Sequence, residues 1–163
     1  QLAKAYSIIV NGGYHIHPRL IKNGIKYKKE KVLNEDVSKK ILPILRKIVT
    51  TQEGTASLAN VSGYEIGGKT GTAEKSIGGG YSKKKKINTF VSVFPTSKPK
   101  FVLALMIDEP VGSKDYVYNY RDGSNIKLKG TPFNTAGWTS VEVTGQIIEK
   151  IGPILATKYS EVN

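Results

Sequence analysis

This chain of 163 residues has no cysteine, only three arginines and no long apolar run. Without cysteine it can form no disulfide, use no thiol nucleophile and bind no zinc through thiolates, which suits a cytosolic or an exported protein equally. The longest continuous apolar run, residues 101–107, is far shorter than the roughly 20 residues of a membrane-spanning helix. No charged-then-apolar signal segment opens the chain. The composition therefore predicts one globular unit, or a piece of a larger one.

The basic residues are almost all lysine: 22 lysines stand against three arginines, and the formal net charge is +12. Proteins that read nucleic acids depend on the forked guanidinium of arginine, so no nucleic acid partner is expected. The densest cluster, Lys83-Lys84-Lys85-Lys86, is predicted to be a solvated loop. The sequence leaves one alternative open, which is attraction to an anionic membrane surface or to a wall polymer.

Helical patterns occur at both ends of the chain and once between. Residues 1–10 predict an apolar helix that ends at Asn11-Gly12-Gly13, where positive φ is tolerated. A chain that starts inside a helix without methionine is expected to be a piece of a longer protein. Residues 36–51 have helical apolar spacing, although Pro43 should kink this helix or delay its start. A final helix, expected to bend near Gly152-Pro153, is marked by Ile147, Ile148, Ile151, Ile154 and Leu155.

The segments between these helices predict extended structure. Residues 14–29 should be extended, with a turn at Asn23-Gly24, and residues 54–60 should add one helical turn. Residues 108–135 give no firm signal and are expected to form a long surface loop. The predicted strands are residues 61–72, 88–94 and 101–107, the last two joined by a turn over residues 95–99.

The order of helices and strands predicts an α+β fold, in which helices flank an antiparallel sheet. The three strands should be adjacent in the sheet, and the last helix should pack on one of its faces. Residues 101–107 are apolar at every position and are therefore predicted to be the covered, central strand.

The most informative stretch is Lys69-Thr70-Gly71-Thr72, which has glycine or alanine on both sides. A cation, two hydroxyls and a residue without Cβ occupy these four positions, and the small neighbours leave them uncovered. With this composition the tetrapeptide is expected by chance in only about one such chain in a hundred. A functional site is the favoured interpretation, and an exposed edge strand with a snorkelling lysine is the alternative.

Eight short motifs resemble, in their order and spacing, those of the transpeptidase domain of class B penicillin-binding proteins. The motif nearest the last helix is most similar to the division-specific, FtsI-type enzymes, although the family usually has small residues and proline where this chain has residues 140–143. Residues 1–163 are thus identified as the C-terminal part of that domain, without the half that bears the nucleophile. The motifs are Gln1-Leu2-Ala3, Ala5-Tyr6, Asn11-Gly12-Gly13, Pro18 with Leu20, Gly54-Thr55-Ala56, residues 67–73, Asp108-Glu109-Pro110 and Ala136-Gly137-Trp138.

The resemblance implies acyl transfer through a serine nucleophile, with Lys-Thr-Gly as the third motif of the set. The first two motifs, Ser-x-x-Lys and Ser-x-Asn, lie upstream in the family, and this chain has no Ser-x-Asn. Ser-x-x-Lys does occur at Ser82, Ser97 and Ser124, where 12 serines and 22 lysines in 163 residues predict about 1.6 matches by chance. These matches follow Lys69 in expected loops, so we interpret them as accidental and predict that the fragment alone is inactive.

The same resemblance implies roles for the tetrapeptide. Lys69 would be catalytic, placing its charge beside the reacting centre, bonding the serine of Ser-x-Asn and favouring proton delivery to the departing amine. The Thr70 and Thr72 hydroxyls would bind the terminal carboxylate of a D-alanyl-D-alanine stem peptide. The backbone N–H of Thr72 would supply half of an oxyanion hole. Gly71 would let the peptide pair alongside the strand.

The function implied is that of part of a peptidoglycan D,D-transpeptidase, which crosslinks stem peptides at the division septum and is inhibited by β-lactams. The parent is expected at the periplasmic face of the bacterial inner membrane, anchored by an upstream helix. Its expected partners are stem peptides, β-lactam antibiotics and divisome membrane proteins. One alternative is a non-catalytic module that binds a wall polymer or senses β-lactams. A β-lactamase is disfavoured by the class B motifs and by the long loop expected at residues 108–135.

Four other features carry weaker expectations. His15 and His17 share a face of an extended segment and could suit a metal, but no third ligand is evident, and neither metal nor cofactor is expected. Gly78-Gly79-Gly80 lacks the strand-to-helix setting of a phosphate loop and is expected to be a flexible loop beside the active site. Lys75 should either line the cleft or be solvated. Trp138 is expected to anchor the core.

Overall fold

The computed structural model describes residues 1–21, 24 and 26–160. Within these residues the elements, in chain order, are as follows. They are α1 (Leu2–Val10), α2 (Glu35–Thr50), a 3₁₀-helix (Ser57–Ala59), β1 (Gly67–Ile77), β2 (Gly80–Phe94), β3 (Phe101–Asp108), β4 (Val117–Asn119), β5 (Lys127–Lys129), a second 3₁₀-helix (Ala136–Trp138) and α3 (Ser140–Ser160). No helix in the described part of the chain is both long and apolar enough to cross a bilayer.

The three α-helices confirm the predicted helical segments within one or two residues, except that α3 starts earlier, at Ser140. α1 ends at Val10, after which Gly12 and Gly13 have φ of +90° and +86°. α2 begins after Asn34, whose side-chain oxygen accepts a hydrogen bond from the Asp36 N–H at 3.0 Å. Pro43 lies inside α2 and Pro153 inside α3, yet the start of α2 is not delayed, and α3 is continuous from Ser140 to Ser160. The turn predicted at Asn23-Gly24 falls partly outside the described residues.

The sheet confirms the antiparallel pairing of the three predicted strands. β2 pairs with β1, which places Thr72 opposite Asn88, and with β3, which places Asn88 opposite Ile107. The prediction that residues 101–107 form the central strand is wrong, because β2 is central and β3 is an edge. No strand in the described part of the chain pairs with the outer edge of β3. Most of its apolar residues are also partly exposed on the faces of the sheet, Met106 by 62%.

The first strand differs from its predicted bounds at both ends. Residues 61–66 make turns around Gly63, with φ of +83°, so β1 starts only at Gly67. β1 then continues past Thr72 and returns through Gly78-Gly79, both of which have positive φ. A two-residue turn of this kind matches the twist of a hairpin, so the glycine segment is a tight turn and not the predicted loop.

Two further segments predicted as loops contain strands. Residues 83–86 are part of β2, although of these four lysines only Lys86 has a partner on β1, and residues 83–85 are exposed. Residues 108–135 contain β4 and β5, and Tyr118 of β4 is only 3% exposed. The Tyr118 hydroxyl donates to the Trp138 carbonyl at 3.0 Å. A contact between residues that are 20 positions apart leaves no periodic pattern in the local sequence, which is why the sequence predicts a loop here.

Helices cover both faces of the sheet. Phe90 and Phe94 of β2 belong to a core cluster with Ile148 of α3, and Val93 belongs to a second cluster with Leu45 of α2. Alternate residues of a strand point to opposite faces, so the two clusters lie on opposite sides of β2. The architecture is therefore an antiparallel sheet flanked by helices, with the last helix on one face, as predicted.

Candidate active site

Two glycines let β1 lie close to its neighbours. A Cβ on Gly67 would lie 2.6 Å from Cγ2 of Thr96, and a Cβ on Gly68 would lie 2.5 Å from the ring of Phe90. Real Cβ atoms do not approach other atoms so closely, so the packing requires glycine at both positions. Both glycines are buried, and Lys69 is the first exposed residue of the strand.

A cavity of about 360 Å³ borders β1 at the tetrapeptide. Thr70 and Thr72 line one side of it. The opposite walls are Gly54 with Thr55, which precede the first 3₁₀-helix, and residues 135–138, which lead into α3. The fold thus brings together three chain segments that are far apart in sequence.

The Thr72 hydroxyl is fixed as an acceptor within the protein. The backbone N–H of Ala136 donates to Thr72 Oγ1 at 3.0 Å. A hydroxyl has one proton and two lone pairs, so the proton of Thr72 remains to be donated elsewhere. Thr72 is exposed and lines the cavity, so it offers a hydrogen-bond donor to an occupant.

Thr70 is paired with a second threonine across the cavity wall. The Oγ1 atoms of Thr55 and Thr70 lie 2.9 Å apart, so one hydroxyl donates to the other and one proton of the pair stays available. Together with Thr72, the cavity presents two hydroxyl protons. Thr55 was not predicted as a site residue. Its motif, Gly54-Thr55-Ala56, was the only signal, because its closeness to Thr70 depends on the fold.

Lys69 and Gly71 complete the tetrapeptide. Lys69 Nζ donates to the Thr70 carbonyl at 2.8 Å and, among the described residues, has no carboxylate partner. Its positive charge is therefore available to an anion. A Cβ on Gly71 would meet nothing closer than 3.9 Å, so internal packing does not require glycine there. The missing side chain leaves the strand surface open instead.

The wall of the cavity before α3 is tied to both neighbouring strands. Besides the bond from Ala136 to Thr72, Asn88 of β2 donates from Nδ2 to Asn134 Oδ1 and to Thr139 Oγ1, both at 2.9 Å. Thr72 and Asn88 are opposite each other on neighbouring strands, so β1 and β2 hold residues 134–139 against the same part of the sheet. The position of this wall is thereby coupled to the position of Thr72.

Gly137 and Trp138 fit the same wall into the core. A Cβ on Gly137 would lie 2.7 Å from the carbonyl oxygen of Thr55, so glycine permits the close approach of the two walls. The Trp138 ring packs edge-on against Tyr118, with centroids 5.2 Å apart, and contacts the larger core cluster. The predicted role of Trp138 as a core anchor is confirmed.

A buried ion pair that the sequence did not predict holds the start of α3. Two nitrogens of Arg121 donate to the two carboxylate oxygens of Glu142 at 2.8 Å, and the side chains are 6% and 4% exposed. Arg121 also donates to the Leu58 carbonyl at 3.0 Å and, through Nε, to the exposed Glu149 at 3.1 Å. The pair therefore fastens residues 108–135 and the first 3₁₀-helix to α3, one turn beyond the cavity wall.

Lys75 neither lines the cavity nor is free in solvent. Its Nζ lies 3.0 Å from Asp108 Oδ1 and 2.9 Å from Glu109 Oε1, so it links β1 to the end of β3 across β2. The hydrogen bond with Glu109 raises the pKa of Lys75, and the same bond lowers the pKa of Glu109. Both groups stay charged at neutral pH, and the link fixes the base of the β1–β2 hairpin.

The structure adds little support for the other candidate site residues, which are the two histidines and the three Ser-x-x-Lys serines. His15 Nδ1 and His17 Nε2 lie 3.1 Å apart, but the described residues contain no group of three or more potential metal ligands. Ser82 lies in β2, not in a loop as expected, and its Oγ accepts from the Lys85 N–H at 3.1 Å. Ser97 and Ser124 lie in irregular segments, so none of the three serines begins a helix.

Comparison with known proteins agrees with this architecture. The model of the family described as the penicillin binding protein transpeptidase domain matches residues 1–125. The chain belongs to this family.

Individual relatives place the match within longer proteins. A probable peptidoglycan D,D-transpeptidase FtsI of Caulobacter vibrioides is 31% identical over 96% of this chain and 26% of its own length. A transpeptidase domain of penicillin-binding protein 3 from Burkholderia pseudomallei superposes with a TM-score of 0.66 at 26% identity, covering 94% of this chain and 41% of that one. Penicillin-binding protein 3 of Mycobacterium tuberculosis, solved with aztreonam, shares the fold at a TM-score of 0.68 and 22% identity over 93% of this chain and 34% of that one. The chain spans about a quarter of the length of the curated relatives it matches.

Proposed function

We propose that this chain is the C-terminal part of the transpeptidase domain of a peptidoglycan D,D-transpeptidase, and that β1 is its substrate-binding strand. A serine from the upstream half attacks the carbonyl between the two terminal D-alanines of a stem peptide. The terminal D-alanine leaves as an amine, and an amine of a second stem peptide then takes the acyl group. The observation that carries the proposal is the cavity beside Lys69-Thr70-Gly71-Thr72, which presents two available hydroxyl protons next to a lysine that has no carboxylate partner among the described residues.

The chemistry of the cavity selects for an anionic end group. The Thr72 hydroxyl accepts from the Ala136 N–H, and its proton is available to an occupant of the cavity. The pair of Thr55 and Thr70 donates a second proton, and Lys69 adds a positive charge. Hydrogen bonds to an ionised acceptor are about twice as strong as neutral ones, so a carboxylate fits this set better than an amide does. A stem peptide that ends in D-alanyl-D-alanine supplies such a carboxylate.

The strand also fits an extended peptide. In the described part of the chain β1 pairs only with β2, so its other edge has free backbone groups to which a peptide can add as a further strand. Gly71 leaves room for close approach. In this arrangement the Thr72 N–H would contribute to the oxyanion hole, and Lys69 would stabilise charge at the reacting centre.

The catalytic serine has to come from outside this segment. The chain has no Ser-x-Asn, and none of its Ser-x-x-Lys serines begins a helix. The apolar and partly exposed β3 is consistent with a sheet that continues in the upstream half. The similarity to FtsI supports a parent that acts outside the cytoplasm at the division septum, held by a membrane anchor among divisome proteins. Membership of the penicillin-binding family supports β-lactams as inhibitors.

Labelling with a fluorescent penicillin tests the proposal. The complete domain should form a covalent adduct on a serine upstream of Gln1, whereas the isolated 163-residue chain should stay unlabelled because it lacks the nucleophile. An adduct on Ser82, Ser97 or Ser124 would show that the nucleophile lies within this chain. If the complete domain binds wall material without acylation, the chain belongs to a non-catalytic binding module instead.

A substitution at Thr55 tests the assignment of the cavity. In the complete domain, Thr55→Val is expected to weaken the initial binding of a carboxylate-bearing β-lactam by about 3- to 10-fold, because Thr70 loses the hydrogen bond that orients its hydroxyl. The rate constant of acylation from the bound state should hardly change. Stopped-flow acylation at varied β-lactam concentration separates the two quantities.

The matched control is Thr55→Ser, which keeps the hydroxyl and should restore binding. If Thr55→Ser and Thr55→Val are equally impaired, packing of the methyl group is responsible, and Thr55 does not assist carboxylate binding.

A further inference from the structure

Asn88 of β2 is a polar residue on a largely apolar face of the central strand. It is fully buried, and Phe90 and Phe94, which share its face of β2, belong to the larger core cluster. Directly opposite residues of antiparallel strands have their side chains on the same face, so Asn88 and Thr72 lie side by side in the sheet. Asn88 does not line the cavity at β1. Any effect of Asn88 on an occupant of the cavity therefore has to pass through other residues.

The two amide hydrogens of Asn88 hold the chain on both sides of Ala136. One is donated to Asn134, which precedes Ala136, and the other to Thr139, which follows it, both at 2.9 Å. Asn134 is held from a second direction, because its Nδ2 donates to the Pro110 carbonyl at 2.9 Å. One buried side chain thus fixes both ends of the short segment that contains Ala136.

The amide oxygen of Asn88 is unpaired in the part of the chain that the structure describes. Oδ1 is buried and accepts no hydrogen bond from these residues. A buried acceptor of this kind gives up its bonds to water without replacement, which lowers stability. An apolar residue of similar size would fill the same space without that loss. The benefit of asparagine at this position therefore lies in what its two amide hydrogens hold.

The segment held by Asn88 orients the Thr72 hydroxyl. The Ala136 N–H donates to Thr72 Oγ1 at 3.0 Å and so occupies one of the directions around that oxygen. The Thr72 proton is confined to the remaining directions, which leaves it available to the cavity. If the segment shifts, this hydrogen bond is lost and the hydroxyl can rotate. The occupant then has to order the hydroxyl when it binds, which weakens binding.

We infer that Asn88 is a positioning residue, which acts through Ala136 to keep the Thr72 proton directed at a carboxylate in the cavity. The inference rests on the proposed function, because it takes the carboxylate of a stem peptide or β-lactam as the occupant. Hydrogen bonds to an ionised acceptor are about twice as strong as neutral ones. Loss of the directed proton therefore weakens the binding of a carboxylate more than that of an uncharged ester.

Stopped-flow acylation of the parent protein by a penicillin, and by the methyl ester of the same penicillin, tests the inference. Asn88→Leu keeps the size of the side chain and removes both donated hydrogens. It should weaken the initial binding of the penicillin by about 5- to 10-fold and that of the ester by less than about 2-fold. The rate constant of acylation from the bound state should hardly change.

The matched control is Ser92→Ala. Ser92 is as fully buried as Asn88 and lies on the same face of β2, but its hydroxyl donates within the sheet, to the Leu103 carbonyl at 3.3 Å. Its removal should change the binding of the penicillin by less than about 1.5-fold, because a single neutral hydrogen bond away from the cavity is lost.

A double-mutant cycle shows whether Asn88 acts through Thr72. Thr72→Val alone should weaken penicillin binding, and adding Asn88→Leu should weaken it by less than about 2-fold further, because no hydroxyl is left to direct. Thr139→Val removes one of the two acceptors at a partly exposed position, and it replaces Asn88→Leu as the test if that variant does not fold. It should weaken penicillin binding by about 2- to 4-fold, and it should also add little to Thr72→Val.

Three results would overturn the inference. They are equal losses for the penicillin and its ester, additive losses for Asn88→Leu and Thr72→Val, and penicillin binding that neither Asn88→Leu nor Thr139→Val changes. The first two would mean that Asn88 only stabilises the sheet. If the parent is labelled by penicillin and Thr72→Val weakens binding, any of these results contradicts the inference alone. A parent that penicillin does not label contradicts the proposed function and, with it, the inference.

Discussion

Replacing Lys69 by alanine in the complete domain is expected to slow acylation by a penicillin by about 100-fold or more. Lys69 is exposed and precedes Thr70, which lines the cavity, and no carboxylate among the described residues neutralises it. Its charge can therefore act on the oxyanion that forms at the reacting carbonyl and can favour proton delivery to the departing amine. The second-order rate constant of acylation measures this loss of transition-state stabilisation.

Two further variants define what Lys69 contributes. Lys69→Arg should restore activity only partly, because guanidinium keeps the charge but not the compact shape or the proton that an amine can transfer. Lys150→Ala removes an exposed lysine of α3 and should leave acylation unchanged. Acylation of the Lys69→Ala domain within about twofold of the unmodified rate would remove Lys69 from the mechanism.

Glu142→Ala is expected to lower the free energy of unfolding of the complete domain by about 3–5 kcal/mol, because it leaves the buried Arg121 without its main partner. The two side chains are 6% and 4% exposed and share two hydrogen bonds of 2.8 Å. Denaturant unfolding measures the change, provided that the slope with denaturant stays constant. Penicillin labelling should also fall, since the pair holds α3 one turn beyond the cavity wall.

The structure provides a control on the same arginine. Glu149 also bonds to Arg121, but its side chain is 59% exposed, so Glu149→Ala should cost only about 0–1 kcal/mol. If both glutamate variants lose the same stability, burial does not distinguish the two ion pairs. If Glu142→Ala loses less than about 1 kcal/mol, the buried pair is not what fixes the start of α3.

The sequence predicted the elements that a local pattern can encode. Helical spacing of apolar residues identified α2, and Asn11-Gly12-Gly13 identified the end of α1, because positive φ is a property of single residues. The sequence predicts a site at residues 69–72 because glycine, threonine and lysine at adjacent positions leave polar groups uncovered. In the structure Lys69, Gly71 and Thr72 are exposed and Thr70 is half-buried, although the chemical roles of these four residues stay predictions.

Errors arose where the partner of a segment lies far along the chain. The apolar pattern of residues 101–107 predicts a central strand, but such a pattern shows how apolar a strand is and not how many strands pair with it, and β3 is an edge. Local preference predicts loops at residues 83–86 and 108–135, yet residues 83–86 are part of β2, which pairs with β1 before and after residues 83–85, and Tyr118 is buried within residues 108–135. Local preference is weak enough for such tertiary contacts to override it.

The sequence by itself determined the class of fold and the family to which the chain belongs, and it predicted the strand proposed to carry the site. Only the tertiary structure decided which groups meet at the cavity. Thr55 reaches Thr70 over 15 residues of chain, and Ala136 reaches Thr72 over 64, because β1 packs against both the segment before the first 3₁₀-helix and the segment before α3. A hydroxyl donates or accepts according to the atoms around it, and those atoms come from segments whose contact no local pattern records.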